Sequence, residues 1–319
     1  MEILESIAGL RLEKDAPLSA YTRFALGGPA DWLVDASTEE SFLEAWRRLS
    51  ENSVRMEVIG GGSNLVVADA GFRGVILRYT ANGLREEGTK VYADAGANLQ
   101  DLVDFTIDLG LSGLHTMTGI PGWVGGAVYG NAGAYGRSLD GSIAHVRGFD
   151  GKRVRNFSNE ECRFRYRDST FKDNKAKHNP GYVVFSAATE LVRDDASALR
   201  QKADEIRAIR DAKYPPDMKC AGSIFKNVIF DELPEHTQRV VDPKVIREGK
   251  VPSAWFLEQA GAKGIRNGGI QVADYHANLI YNLGNGTATQ VHEIVEDLKA
   301  RVFDRFGFRI EEEVQYVGF

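Results

Sequence analysis

Glycine recurs at 119, 122, 125, 126, 130, 133 and 136 in Gly119-Ile-Pro-Gly-Trp-Val-Gly-Gly-Ala-Val-Tyr-Gly-Asn-Ala-Gly-Ala-Tyr-Gly136. Glycine costs conformational entropy on folding, so such density needs a reason. One reason is a set of tight turns in a β-rich domain. The other is a backbone lying flat against a ligand, because free N–H groups cradle phosphate. Interleaved Val, Ala, Trp and Tyr rule out a flexible linker, and the stretch reads as a folded loop around something large and anionic, such as a dinucleotide. A second glycine loop is Gly60-Gly-Gly-Ser-Asn64. Arginines 163, 165 and 167 alternate with Phe164 and Tyr166, which on a strand would separate them onto two faces. Taken alone they make a solvated basic face; one guanidinium could instead clamp a carboxylate. Ser223 follows Gly222 without a G-x-S-x-G frame, so it is no hydrolase nucleophile and reads as a turn cap. Glu311-Glu-Glu313 would normally be a solvated strand end. One of these carboxyls facing inward would be raised in pKa and could donate a proton.

The common nucleotide signatures are missing. No GxxxxGK[ST] occurs, nor a GxGxxG after a strand, which disfavours P-loop enzymes and the standard Rossmann site. Cys162 and Cys220 have no metal-ligand spacing, the six histidines are scattered, and neither a metal site nor a disulfide framework is expected. A net charge of −6 over 319 residues argues against nucleic acid or an anionic membrane as main partner. Neither a signal peptide nor an apolar run of membrane-spanning length is visible, so the cytoplasm is the expected location.

The elements that must position these residues read as α+β without regular βαβ order. Strands are predicted at 32–36, 56–59, 65–67, 75–77, 91–95, 143–149, 152–157, 182–191 and 278–281, with a closing strand at 309–317. Asp150-Gly151 predicts a type I′ hairpin. Ser37 with Glu40 has capping-box spacing for a helix running to about Arg48. Asn98 can cap a helix ended by Gly110. A charged helix is expected over 196–212 with Leu199, Ala203, Ile206 and Ile209 inward. Tyr214-Pro-Pro216 then breaks the chain at a domain boundary. Further helices are expected at 253–259 and at 288–306, the latter stopped by Gly307.

Taken together and in order, these motifs resemble the UDP-N-acetylenolpyruvoylglucosamine reductase (MurB) family. The resemblance rests on Tyr21-Thr-Arg-Phe24 with Gly27-Gly28, Gly60-Gly-Gly-Ser-Asn-Leu65, the glycine stretch through Ala134, Tyr166-Arg-Asp-Ser-x-Phe-Lys172, Gly222-Ser-Ile-Phe-Lys-Asn227 and Glu313-Val. It implies a vanillyl-alcohol-oxidase-type (PCMH-type) two-subdomain FAD fold plus a C-terminal α+β substrate domain, divided as 1–79, 80–212, 213–308 and a 309–319 strand carrying the active-site glutamate. It implies non-covalent FAD, NADPH as co-substrate, a UDP-sugar substrate and a monomer. Cofactor contacts would fall on Arg23, Gly60, Gly61, Gly62, Ser63, Asn64, Thr118, Gly119, Pro121, Gly122, Gly125, Gly126, Asn131, Gly133 and Ala134. Catalytic roles would fall on Arg167, Ser223 and Glu313, and substrate contacts on Tyr166, Lys213 and Asn227. Hydride would pass from NADPH through flavin N5 to C3 of the enolpyruvyl group. Ser223 would protonate C2, with Lys226 as a neighbour able to help, while Arg167 and Glu313 stabilise the enolate-like charge.

The sequence departs from the family pattern at Trp123, Val228 and Gln315. Trp123 either crowds the flavin or packs outward. Between Glu190 and Lys213 there is room for one helix only, which predicts the shorter-loop branch. The rivals are an FAD oxidase or dehydrogenase of a small alcohol or sugar, and a non-catalytic nucleotide-binding protein.

Overall fold

The computed structural model describes residues 1–177 and 181–319. Its contacts divide the chain into two units: 1–16, 30–61 and 73–212 form the first, and 17–29, 62–72 and 213–319 the second. The chain therefore enters the second unit twice before its C-terminal half, and the glycine loop 60–64 is one of the crossings.

In the first unit, strands Leu10–Pro17, Pro29–Ala36, Phe72–Tyr79 and Met56–Val58 form a sheet in that order. A five-stranded antiparallel sheet runs Val154–Ser158, Ile143–Phe149, Val183–Glu190, Lys90–Asp94 and Leu84–Glu87. One apolar core joins them to the helices Glu39–Glu51 and Leu99–Asp108, through Phe42, Leu77, Val103 and Phe185. The Phe42 and Phe185 rings meet edge to face at 5.3 Å, the favoured aromatic geometry.

In the second unit, Cys220–Ser223, His276–Asn282, Ile270–Ala273 and Arg266–Asn267 form an antiparallel sheet. The helix Ala288–Phe306 covers its core with Val291, Ile294, Val295, Leu298 and Val302, all buried beside Phe225 and Phe256. Thr287 and Gln290 make a reciprocal capping box at its start, and Gly307 at φ 73 ends it, as only a residue tolerant of left-handed backbone can cheaply do. The Asp69 carboxylate also accepts the Ala288 and Thr289 N–H groups at 2.7 and 2.9 Å. Burial opposes ionisation of Asp69, but these bonds and the Thr289 hydroxyl outweigh it and hold its pKa below the ordinary value. That contact ties the 62–72 excursion to the long helix.

Most predicted elements form, and the exceptions are instructive. The helix near Ser37 is capped by Thr38 with Ser41, not by Ser37 with Glu40. The hairpin after Phe149 uses four loop residues, 150–153. The Asp150 carboxylate accepts the Lys152 and Arg153 N–H groups there, so an Asx turn replaces the two-residue type I′ turn. The Asn98 side chain donates to Asp101 and caps no helical N–H. Ile209 is 60 % exposed, so the inward face of Ala196–Lys213 stops at Leu199 and Ala203. The closing strand shrinks to Gln315–Val317, which runs parallel to Leu65–Val67. Strand Val192–Arg193 is followed almost at once by Ala196–Lys213, with no inserted element between them.

Candidate active site

In the first unit, the glycine run 122–126 lies against 95–99. Leu99, Val124 and Gly125 donate N–H bonds to the carbonyls of Gly122, Ala97 and Ala95, each 2.9 Å long. A side chain at Gly125 would strike Ala95 Cβ at 2.8 Å, so the close approach demands glycine. Gly126 is exposed, and a Cβ there would meet nothing within 4 Å; one at Gly60 would meet only the Gly126 nitrogen at 3.9 Å. Among the described residues, the N–H groups of Gly60, Gly61 and Gly126 have no hydrogen-bond acceptor. Open space over clustered, unpaired N–H donors is the physical form of an anion cradle, and it fits the phosphates of a dinucleotide. In the second unit, Gly62 at φ 68 leaves no room for a Cβ, which would sit 1.9 Å from the Tyr21 carbonyl oxygen. Its own carbonyl accepts the Arg23 N–H at 3.2 Å.

Trp123 packs on Gly61. A Cβ on Gly61 would lie 2.8 Å from the indole Cδ1. The Arg78 guanidinium stands 5.3 Å from the ring centroid and is held by Asp35 through bonds of 2.6 and 2.8 Å. The indole is thus a packed wall of the 60–64 glycine loop.

Thr118 and Gly119 are held by a residue that no motif marks. The Gln100 side-chain oxygen accepts the Gly119 N–H at 2.7 Å and the Thr118 hydroxyl at 3.3 Å, and Arg207 donates to the same oxygen at 3.3 Å. Gly119, at φ 74, abuts the Arg207 and Arg210 side chains. Gln100, Arg207 and Arg210 sit on helix faces whose polar spacing resembles any solvated helix surface, so sequence reading passes over them. Pro121, by contrast, is exposed.

Residues 163–168 form no strand. Arg165 and Asp168 exchange backbone bonds of 3.0 and 3.1 Å across a tight turn, and Arg163 and Arg167 adopt φ of 45° and 55°. The predicted two-faced alternation fails because these left-handed residues reverse the chain. The turn sends Arg165 to an exposed ion pair with Asp168 and Asp173. Arg167 instead donates to the Gly133 carbonyl at 2.9 Å, with its guanidinium 5.6 Å from the Tyr166 ring. Asn131 donates to the Arg165 carbonyl and accepts the Asp140 N–H. The structure thereby joins Asn131, Gly133, Tyr166 and Arg167, with Ala134 pairing Arg137 beside them. Left-handed backbone at a bulky residue costs on the order of 1–3 kcal/mol, a cost that marks functional turns.

The second unit joins Asn64, Ser223 and Glu313. Glu313 donates its N–H to the Ile224 carbonyl at 2.7 Å, Lys226 donates to the Glu311 carbonyl, and Phe225 bridges Glu312. The Asn64 amide donates to the Glu313 carbonyl at 2.9 Å. Buried Asn278 fixes this ladder by accepting the Phe225 N–H and donating to the Phe225 carbonyl, at 2.9 and 2.8 Å. The Ser223 hydroxyl shares a 3.0 Å hydrogen bond with the Tyr214 phenol. Lys226 pairs with Glu311 at 2.6 Å, so its expected assistance to Ser223 is not what the structure builds. Asn227 accepts the Ser253 N–H, and exposed Lys213 lies 5.1 Å from the Tyr214 ring. The Arg23 guanidinium reaches the Pro215 carbonyl at 3.4 Å.

Among the described residues, no helix is long and apolar enough to cross a membrane. Cys162 and Cys220 are buried free thiols, and burial pushes Cys162 up to about 12.

Residues 30–148 match the family model of an FAD binding domain, and 214–317 that of the C-terminal domain of UDP-N-acetylenolpyruvoylglucosamine reductase. A reductase of that name from Solibacter usitatus is 51 % identical over 315 residues, covering 99 % of both chains. The one from Rubrobacter xylanophilus is 37 % identical, covering 95 % of this chain and 94 % of its own. The crystal structure of the Thermus caldophilus enzyme superposes with a TM-score of 0.75 at 28 % identity, over 97 % of this chain and 99 % of that one. With near-complete coverage at this identity and an α+β fold to match, the chain belongs to the UDP-N-acetylenolpyruvoylglucosamine reductase family.

Proposed function

We propose that this chain reduces UDP-N-acetylglucosamine enolpyruvate to UDP-N-acetylmuramate for peptidoglycan precursor synthesis, with NADPH as reductant. The observation that carries this reading is whole-chain kinship with the reductases, together with the ladder that sets Glu313 against the segment following Ser223. When bound, FAD supplies a relay for hydride from NADPH to C3 of the enolpyruvyl group. The unpaired N–H groups at 60, 61 and 126 support binding of its pyrophosphate there; Gly62, Ser63, Asn64 and Arg23 are further cofactor contacts that the kinship implies. Thr118, Gly119, Pro121, Gly122, Gly125, Asn131, Gly133 and Ala134 line the remainder.

Arg167 is a permanent cation and stabilises the negative charge that grows on the carboxylate-conjugated carbon. Glu313, when protonated, shares its hydrogen with the same charge. Ser223 gives its hydroxyl proton to C2, while Tyr166, Lys213 and Asn227 hold the UDP-sugar. Residues 1–79 and 80–212 serve as FAD subdomains, 213–308 as the substrate domain and 309–319 as the strand bearing the glutamate. The direct step from Val192–Arg193 to Ala196–Lys213 supports the shorter-loop branch. A cytoplasmic monomer without nucleic-acid or membrane partners is consistent with the charge and composition.

Anaerobic stopped-flow tests the reading. NADPH should bleach the flavin band of the yellow holoprotein, and the enolpyruvyl nucleotide should restore it. A protein that takes up no FAD refutes the proposal. So does oxygen consumption with sugars alongside silence toward NADPH and the nucleotide, which would make the chain a flavin oxidase.

A further inference from the structure

The Ser223 hydroxyl has a partner that no motif announces, the Tyr214 phenol at 3.0 Å. Both oxygens are mounted on one scaffold. Ser223 ends the strand Cys220–Ser223, which reaches it through Gly222 at φ 77 and a break in register against His276–Asn282. Tyr214 packs on the buried cluster of Cys220, Ala273 and Leu279, beside Met218 and Tyr281. Its ring lies 6.1 Å from the His276 ring. The adjoining carbonyl of Lys213 accepts the Tyr275 hydroxyl at 3.0 Å, which pins the chain entering Tyr214.

A serine that protonates carbon becomes an alkoxide, a far stronger base than any ordinary side chain. That charge needs a donor already in contact. Lys226, the nearest cation in sequence, is paired with Glu311 at 2.6 Å. A phenol, with an ordinary pKa near 10, is several orders of magnitude more acidic than an aliphatic hydroxyl, so proton transfer from Tyr214 to a Ser223 alkoxide runs downhill.

We propose that Tyr214 is a positioning residue that acts through Ser223, orienting the serine hydroxyl and returning its proton. The Ser223 O–H bond breaks as the C2–H bond forms. The Tyr214 O–H bond breaks as the serine O–H bond re-forms, and the phenolate takes a proton from water. The net change is one solvent proton delivered to C2, with the electron pair arriving in the hydride from NADPH. Tyr214 is only half-buried, which gives water access to the phenol. This inference rests on Ser223 as the proton donor.

The test uses holoenzyme carrying Tyr214→Phe, Ser223→Ala or both, in anaerobic stopped-flow. Phenylalanine keeps the ring packing, so Tyr214→Phe should unfold at the wild-type urea midpoint and be reduced by NADPH at the wild-type rate. Flavin reoxidation by the enolpyruvyl nucleotide should slow about 10- to 100-fold, the worth of a hydrogen bond to developing charge. The double variant should be no slower than Ser223→Ala alone. The proton inventory in mixed H₂O and D₂O should change from a curve of more than one moving proton to a line of one. Wild-type reoxidation by Tyr214→Phe with a slow Ser223→Ala overturns the tyrosine's role and leaves the serine's intact. Slowing that multiplies in the double variant overturns it too, because the tyrosine would then act independently. Wild-type reoxidation by Ser223→Ala overturns both readings.

Discussion

Gly61→Ala tests whether Trp123 and the 60–64 glycine loop form one packed unit. Gly61 has no left-handed φ, so the backbone accepts alanine and the cost is spatial. The new methyl would lie 2.8 Å from Trp123 Cδ1, 3.0 Å from Nε1 and 3.1 Å from Cγ, where ordinary contacts begin at 3.4 Å. The indole must therefore withdraw by about 0.6 Å (3.4 − 2.8). Its backbone cannot follow, because Gly122 and Val124 on either side are bonded to Leu99 and Ala97. The ring must rotate away from Arg78, or the loop with its free N–H groups must shift. Overpacking of this size costs about 1–3 kcal/mol. Where the loop shift is suppressed by bound cofactor, FAD affinity falls roughly 5- to 150-fold. The assay is FAD titration of apoprotein by flavin fluorescence, with the urea midpoint recorded in parallel. In a Trp123→Ala background the methyl has room, and Gly61→Ala should cost no more than about 0.5 kcal/mol, a coupling of at least about 0.5 kcal/mol between contacting residues. Equal penalties for Gly61→Ala in both backgrounds would refute the reasoning, as would wild-type affinity and stability in the single variant.

Ser223→Ala should leave reduction by NADPH intact and slow reoxidation by about 10²- to 10⁴-fold, the usual contribution of a positioned acid; stopped-flow separates the two steps, and normal turnover refutes the donor role. Asn278→Ala orphans the Phe225 N–H and carbonyl in a buried site, at about 1–3 kcal/mol each, and should lower the urea midpoint together with kcat; an unchanged midpoint refutes the ladder's dependence on Asn278. Burial, aided by Lys213, lowers His276 to about 4, and unfolding restores a value near 6.5. The unfolded chain then binds a proton that the folded chain refuses, so stability falls as pH drops from about 6.5 to about 4, by up to about 3 kcal/mol, and is level above. His276→Gln should flatten that limb in urea midpoints measured across the window; a variant that tracks wild type refutes the assignment.

Much of the fold was legible because local chemistry and tertiary structure agreed. The helix Ala288–Phe306 has apolar residues at helical spacing and a stopping glycine, and its apolar stripe of Val291, Ile294, Val295, Leu298 and Val302 is buried. Misreadings fell where a neighbour overrode the local signal. Ile209 continues the helical stripe of Ala196–Lys213 yet stays exposed because the core stops at Ala203. Asp150-Gly151 makes an Asx turn because the aspartate side chain outcompetes the two-residue hairpin.

By itself the sequence determined the family and the α+β class, and it marked the two glycine loops and Arg167, Ser223 and Glu313 as candidate site residues, since these depend on residue types kept in order along the chain. Only the tertiary structure decided what those residues touch. Arg167 lies in a left-handed turn on Gly133 where alternation predicts a strand. Trp123 packs on Gly61, and Gln100, Arg207 and Arg210 support Gly119. Ser223 is bonded to Tyr214, while Lys226 turns to Glu311. The reason is range. Periodicity and motif spacing report on residues a few positions apart, whereas hydrogen bonds such as Asn64 to Glu313 join groups that come together only when distant strands pair.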